Sequence, residues 1–182
     1  MNLKAQASAI EANRRRNNMS APKLIEPAVV LPRNAWPGAL SETAIEVFSI
    51  MVGVNVTAPA KDAPPLLPQV TGVVRIAGAM RAIFTLQCSL TSSVKIASQM
   101  LGSSPEDPDS QKAAYDALGE VCNMVAGYFK AKIGLGDACM LSVPTIIAGH
   151  DYHFHSGKTY ERVEFPMLFE GETLWIALEI AQ

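Results

Sequence analysis

Gln111-Lys-Ala-Ala-Tyr-Asp-Ala-Leu-Gly-Glu-Val-Cys-Asn-Met-Val-Ala-Gly-Tyr-Phe129 carries the period of an amphipathic helix. At about 100° per residue, with Asp116 set to zero, Glu120 falls near +40°, Asn123 near −20° and Gly127 near +20°. Ala114, Leu118, Val121, Val125 and Phe129 all fall within about 40° of the opposite direction. The apolar set is therefore a core face. It leaves an acid pair, a carboxamide and a bare backbone together on the other side. Polar residues on an outer helix face are most often simply solvated. Gly119 and Gly127 argue for more, because glycine inside a helix costs about 1 kcal/mol relative to alanine. A glycine on the polar face implies that something approaches closely there.

Around this helix the chain reads as one domain preceded by a leader. It has 182 residues, 49% of them hydrophobic and 18% charged, which suits a globular protein with a sizeable core. The formal net charge of −2 gives no electrostatic footprint for nucleic acid or an anionic membrane. No apolar run approaches the roughly 18 residues that span a bilayer, and the polar, basic start lacks a signal-peptide core, so the cytoplasm is expected. Residues 1–35 hold Arg14-Arg15-Arg16 and the regularly spaced Pro22, Pro27 and Pro32, with Pro37 just beyond. They read as an extended basic leader to a domain over 36–182. Cys88, Cys122 and Cys139 lie singly in apolar segments and read as small buried hydrophobes.

The remaining elements follow from period and punctuation. Ser41 or Glu42 opens a helix through Met51, with Gly53 as its stop. Val70–Ile76 and Met80–Cys88 read as strands around the turn Ala77-Gly78-Ala79. Thr91 or Ser92 caps a helix over Val94–Leu101, stopped by Gly102. Asp107-Pro108 suits the cap and first residue of the long helix. Cys139–Ile147, Asp151–His155, Val163–Phe169 and Leu174–Ile180 read as strands, the last with strict alternation. The order α-β-β-α-α-β-β-β-β describes an α+β domain with helices packed on an antiparallel sheet.

The chain also echoes itself. Glu46-Val-Phe-Ser-Ile-Met-Val-Gly53 aligns with Glu120-Val-Cys-Asn-Met-Val-Ala-Gly127. Ser49 replaces Asn123, and Glu42 stands at the place of Asp116. A pseudo-symmetric duplication is expected, with the complete Glu-x-x-Asn set on the second helix alone.

Asp116, Glu120 and Asn123, with Pro144 after them and the words Leu-Gly-Glu-Val-Cys-Asn-Met-Val-Ala-Gly and Leu-Ser-Val-Pro, resemble the CheC/CheX/FliY family of chemotaxis phosphatases over roughly residues 40–182. One complete motif beside a degenerate first helix is the CheX-like arrangement. The resemblance implies a pseudo-duplicated CheC/CheX-like fold and hydrolysis of the aspartyl phosphate of a CheY-like response-regulator receiver. It implies Glu120 docking on the receiver's lysine, Asn123 at the chemistry, and a homodimer paired through its sheets, for which the alternating last strand would suit an edge contact. Mg²⁺ is expected in the receiver, with no cofactor bound by this chain.

The chemistry supports the role of Asn123 independently. An aspartyl phosphate is already activated, so hydrolysis needs mainly a water held in line behind phosphorus. A carboxamide both donates and accepts hydrogen bonds, which suits Asn123 to hold that water. Asp116 reads as a rim residue, Gly127 as room for the partner's backbone, and Pro144 as a structural residue at a strand entry. His150, His153 and His155 lack a second ligand cluster and read as solvent-facing rather than as a zinc site. Ser142 lacks the Gly-x-Ser-x-Gly turn of a nucleophile. The rival reading is a binding module on the same fold that scaffolds or regulates a signalling or flagellar-switch partner without catalysis.

Overall fold

The computed structural model describes residues 30–58, 68–107, 109–150, 152 and 160–182. The expected strand over Asp151–His155 and most of the leader lie outside them. A 3-10 turn over Arg33–Ala35 leads into α1, Trp36–Val47, which widens into a π turn over Phe48–Val52. β1 (Val70–Gly78) and β2 (Ala82–Cys88) form a hairpin. α2 (Leu90–Leu101) and α3 (Ser110–Lys132) follow. β3 (Cys139–Leu141), β4 (Thr145–Ala148), β5 (Tyr160–Phe169) and β6 (Glu172–Ala181) complete one antiparallel sheet.

α1 begins earlier than its periodicity suggests, because Pro37 occupies the first turn, where a missing N–H has no intrahelical partner to lose. α2 likewise starts at Leu90, since Ser89, not Thr91 or Ser92, accepts from the Ser92 amide at 2.9 Å. α3 opens at Ser110 after Asp109. Asp107 lies in the preceding turn, where its carboxylate accepts from the Ser104 amide. Gly53 and Gly102 end their helices with φ of 74° and 64°, a conformation that carries no Cβ penalty only for glycine.

The strands run β3-β1-β2-β6-β5, with β4 also against β1. β1 and β2 pair from Val70↔Cys88 to Ile76↔Ala82, and β2 meets β6 at Phe84↔Leu178. The strictly alternating last strand, expected to suit an edge, is therefore interior, flanked by β2 and β5. Alternation reports one covered face and says nothing about lateral neighbours.

A pseudo-twofold relates the halves across the β2–β6 pair. In each half a helix leads to a short strand and then a hairpin. The short strand crosses to the other half's hairpin: β3 and β4 pair with β1, and Thr57 bridges to Leu168 of β5. The duplication legible in two eight-residue words is thus a property of the topology.

The helices cover one sheet face. Leu40, Phe48, Phe84, Leu86, Leu118, Phe129 and Ile176 are fully buried there. Trp36 meets Phe129 edge to face with ring centroids 6.1 Å apart, and its indole N–H donates to the Leu31 carbonyl. α3 comes so close to β1 that a Cβ on Gly72 would stand 2.3 Å from Cys122 Sγ. Only glycine permits that approach.

Candidate functional site

The apolar stripe of α3 is buried as its period requires, with Ala114, Leu118, Val121, Val125 and Phe129 all at zero exposure. That fixes the rotation of the helix and turns Asp116 and Glu120 to solvent, while Asn123 and Gly127 are half-buried. Among the described residues none of Asp116, Glu120 and Asn123 has a side-chain hydrogen-bond or ion-pair partner. Their donors and acceptors remain open to a ligand.

Pro144 is brought to the same place. A Cβ built on Gly119 would lie 3.4 Å from Pro144 Cβ, and one on Gly127 would lie 3.7 Å from Leu141 Cδ1. Asn123 sits on the helix between those two contacts, so the segment from Leu141 to Pro144 runs alongside it. This explains its partial shelter. Gly119 has the closer of the two contacts, at the lower edge of the ordinary van der Waals range. Gly127 faces only an ordinary van der Waals contact, so no neighbour within the chain demands a glycine there.

The expected strand over Cys139–Ile147 is broken at this point. Leu141 pairs with Ile76 and Thr145 with Val73, so three residues of one strand face two of β1. That is a β-bulge, a device that re-aims the strand and tolerates proline. Ser142 holds it: its amide donates to the Arg75 carbonyl at 2.9 Å, and its hydroxyl accepts from the Arg75 amide at 3.0 Å. Lys130 fastens the approach, donating to the carbonyls of Gly136 and, at 2.8 Å, of Cys139. Neither residue was singled out as a fastener by the sequence. A cation in the last helical turn is the usual signal for such a carbonyl clamp.

The first helix presents a changed copy. Glu46 and Ser49 are exposed on it, while Glu42 is paired with Lys132 at 2.9 Å. The cysteines offer no alternative chemistry. Burial pushes the Cys122 thiol up to about 12, against a small opposing effect of its hydrogen bond to the Leu86 backbone, and raises Cys88 further. Such thiols stay protonated and unreactive. Among the described residues no three His, Cys, Asp or Glu side chains converge as a metal site, and no helix is long and apolar enough to cross a membrane.

The architecture defines a class: a duplicated α+β domain whose second helix offers an acid and a carboxamide beside a proline-bearing bulge. Comparison with known proteins is consistent with this. The family model described as chemotaxis phosphatase CheX matches residues 70–168. The chain belongs to the CheX chemotaxis phosphatase family. No curated protein matches it. Among solved structures, a CheC-like superfamily protein from Shewanella sp. PV-4 superposes with a TM-score of 0.70 at 17% identity, covering 83% of this chain and 100% of that one. The chemotaxis protein CheX of Vibrio vulnificus gives 0.69 at 17% identity, covering 82% and 99%. CheX of Borrelia burgdorferi, solved in complex with CheY, BeF₃ and Mg²⁺, gives 0.63 at 18% identity, covering 81% and 98%. At such identities these likenesses speak for the fold.

Proposed function

We propose that this chain hydrolyses the aspartyl phosphate of a CheY-like receiver, with Asn123 positioning the attacking water and Glu120 docking on the receiver's active-site lysine. The observation that carries this reading is the placement of the pair. Glu120 is exposed and Asn123 half-sheltered on one helix face, both without side-chain partners among the described residues, beside a bulge held by Ser142. A water-positioning group must be fixed and unengaged, and an ion-pairing group must reach outward.

In this reading the Asn123 carboxamide accepts from the water and donates to it or to a phosphoryl oxygen. Water attacks phosphorus, the bond from phosphorus to the aspartyl oxygen breaks, and the carboxylate and inorganic phosphate separate. Glu120 carries no proton in the step; its charge aligns the helix with the receiver lysine. Asp116 lies on the rim, Gly127 leaves space for the partner's backbone, and Pro144 keeps the bulge against Gly119. Mg²⁺ comes with the receiver and neutralises phosphoryl charge there. We place the protein in the cytoplasm and expect a homodimer. With β6 interior, the pairing edge we expect is the outer side of β5 away from Leu168, where Thr57 already bridges it.

The test follows decay of a phosphorylated receiver from the same organism, with Mg²⁺, in the presence of the wild-type chain or Asn123→Ala. Faster decay with wild type that is lost in the variant supports the reading. Unchanged decay across several receivers, with binding retained, leaves the non-catalytic module in its place.

A further inference from the structure

The phosphatase reading brings a receiver onto Glu120 and Asn123, and the docking surface inferred beside that pair rests on it. Exposed apolar side chains occur at several separate places, Val143, Met140 and Leu101 among them, but Ile50, 68% exposed, and Tyr128, 52% exposed, come together. Ile50 and Tyr128 line one depression between α1 and α3 together with Thr43, Glu46 and Lys132. Isolated apolar residues on a surface need no explanation, but a cluster in a cleft marks a contact surface.

The run of α3 connects this cleft to the site. Glu120, Met124 and Tyr128 follow at four-residue spacing along α3, so Tyr128 lies about 12 Å along the axis from Glu120. A stable interface covers about 800 Å² per partner, a disc roughly 30 Å across. A receiver centred on Asn123 therefore extends over Tyr128 and the neighbouring end of α1.

We infer that the cleft between α1 and α3 is a second docking surface for the same receiver. It takes an apolar side chain of the receiver against Ile50 and Tyr128, with a flanking lysine or arginine against Glu46. The charge balance fits a cationic neighbour, because Lys132 is already neutralised by Glu42 at 2.9 Å while Glu46 has no partner among the described residues. The degenerate helix thus keeps its acid for recognition although its carboxamide is gone. It sets which receiver is chosen, and α3 carries the chemistry.

The experiment measures receiver dephosphorylation over a range of phosphorylated-receiver concentrations for wild type, Ile50→Arg, Tyr128→Ser and Met140→Arg. Met140 lies on the sheet face away from the helices, opposite Ala77 of β1. Ile50→Arg and Tyr128→Ser are expected to raise KM about tenfold with kcat within about twofold, the pattern of lost ground-state binding. Met140→Arg is expected to match wild type. Circular dichroism and thermal melts confirm folding, and two cleft variants guard against one that fails to fold. In parallel, fluorescence anisotropy with a beryllofluoride-activated receiver and Mg²⁺ should show the same tenfold rise in Kd. Unchanged KM and Kd in both folded cleft variants overturn the docking surface even if Asn123→Ala abolishes hydrolysis. A wild-type chain that binds but does not hydrolyse sinks the catalytic reading and leaves the Kd comparison to judge the cleft. A wild-type chain that binds no receiver removes both.

Discussion

α1 and α3 share a sequence design and occupy equivalent places in a duplicated fold, yet they present different surfaces. α3 runs unbroken for 23 residues, and Gly127 lies within it as an ordinary helical residue. α1 runs for 12, loosens into a π turn and stops at Gly53 in the left-handed region. α3 has the bulge of Ser142, Val143 and Pro144 beside its carboxamide, whereas among the described residues the crossing strand of the first half is a single bridge at Thr57. An acid on the outer face is common to both. What separates them is everything that would hold a second polar group at a fixed place beside it. A repeat can therefore keep its fold and change its surface through backbone changes as well as through a substitution.

The strongest way to break that contrast is at Asn123. On the proposed reading Asn123 holds the reacting water, and loss of such positioning costs about 10²-fold in rate. Asn123→Ala should therefore lower the stimulated decay of the phosphorylated receiver by at least about 100-fold while leaving Kd for the activated receiver near its wild-type value. Retention of full activity would place the chemistry elsewhere on the molecule.

The two hairpins differ as the two helices do. The turn after β1 is tied through the Ala79 amide to the Ala138 carbonyl at 2.9 Å. The β5–β6 turn is held by Glu172, which accepts from Ser89 and, at 2.7 Å, from Ser92 at the start of α2, with Lys95 at 3.5 Å. Burial pushes this carboxyl's pKa up, but the two serine hydrogen bonds and the Lys95 charge together outweigh it and leave the group below its usual value. A pKa lowered in the folded state contributes stability above the unfolded value and loses it as pH falls through the folded value. Glu172→Gln should therefore cost about 1–3 kcal/mol at neutral pH. The gap from wild type should close as the solution is acidified below the ordinary glutamate range. Urea melts across pH measure it, and a gap independent of pH would show that charge is not what holds the turn.

How much of this contrast was legible in the sequence depends on the kind of information involved. The buried and exposed faces of α3 follow from a 3.6-residue period sustained over many residues, and each of its five apolar positions is fully buried. Glu120 and Asn123 were visible for the same reason. Pro144 could be named but not placed, because its contact with Gly119 is tertiary. The bulge at Ser142 was missed because the stretch was read as one strand, although Pro144 within it is the signal of such a break. The start of α1 was missed because proline reads as a breaker, although it fits a first helical turn. β6 was misplaced because alternation reports burial and not neighbours. Periodicity encodes faces, and it cannot encode which edge meets which.

The aligned glycines offer a smaller test. Gly53 has φ 74°, so Gly53→Ala should cost about 1 kcal/mol in left-handed strain. Gly127 is helical, and a Cβ there meets only Leu141 Cδ1 at 3.7 Å. Gly127→Ala should therefore stabilise the protein by about 0.5–1 kcal/mol and weaken receiver binding if the partner's backbone approaches there. Thermal denaturation of the two variants should give shifts of opposite sign. Shifts of the same sign would show that the two glycines do the same work after all.

The smallest expected effect is the most discriminating. If α1 were inactive only because Ser49 replaces the carboxamide, Ser49→Asn in the Asn123→Ala background would restore hydrolysis. The backbone argues against rescue. In α3, Glu120 and Asn123 are three residues apart on a regular helix. The equivalent pair on α1 straddles the entry to the π turn, which changes the angle between them. Ser49 is also exposed where Asn123 is half-sheltered, and a misplacement of about 1 Å can cost a hundredfold in rate. The double variant should consequently decay the phosphorylated receiver no faster than Asn123→Ala alone. Recovery toward wild-type activity would mean that identity at one position, and not the regular helix and bulge around it, distinguishes the two halves.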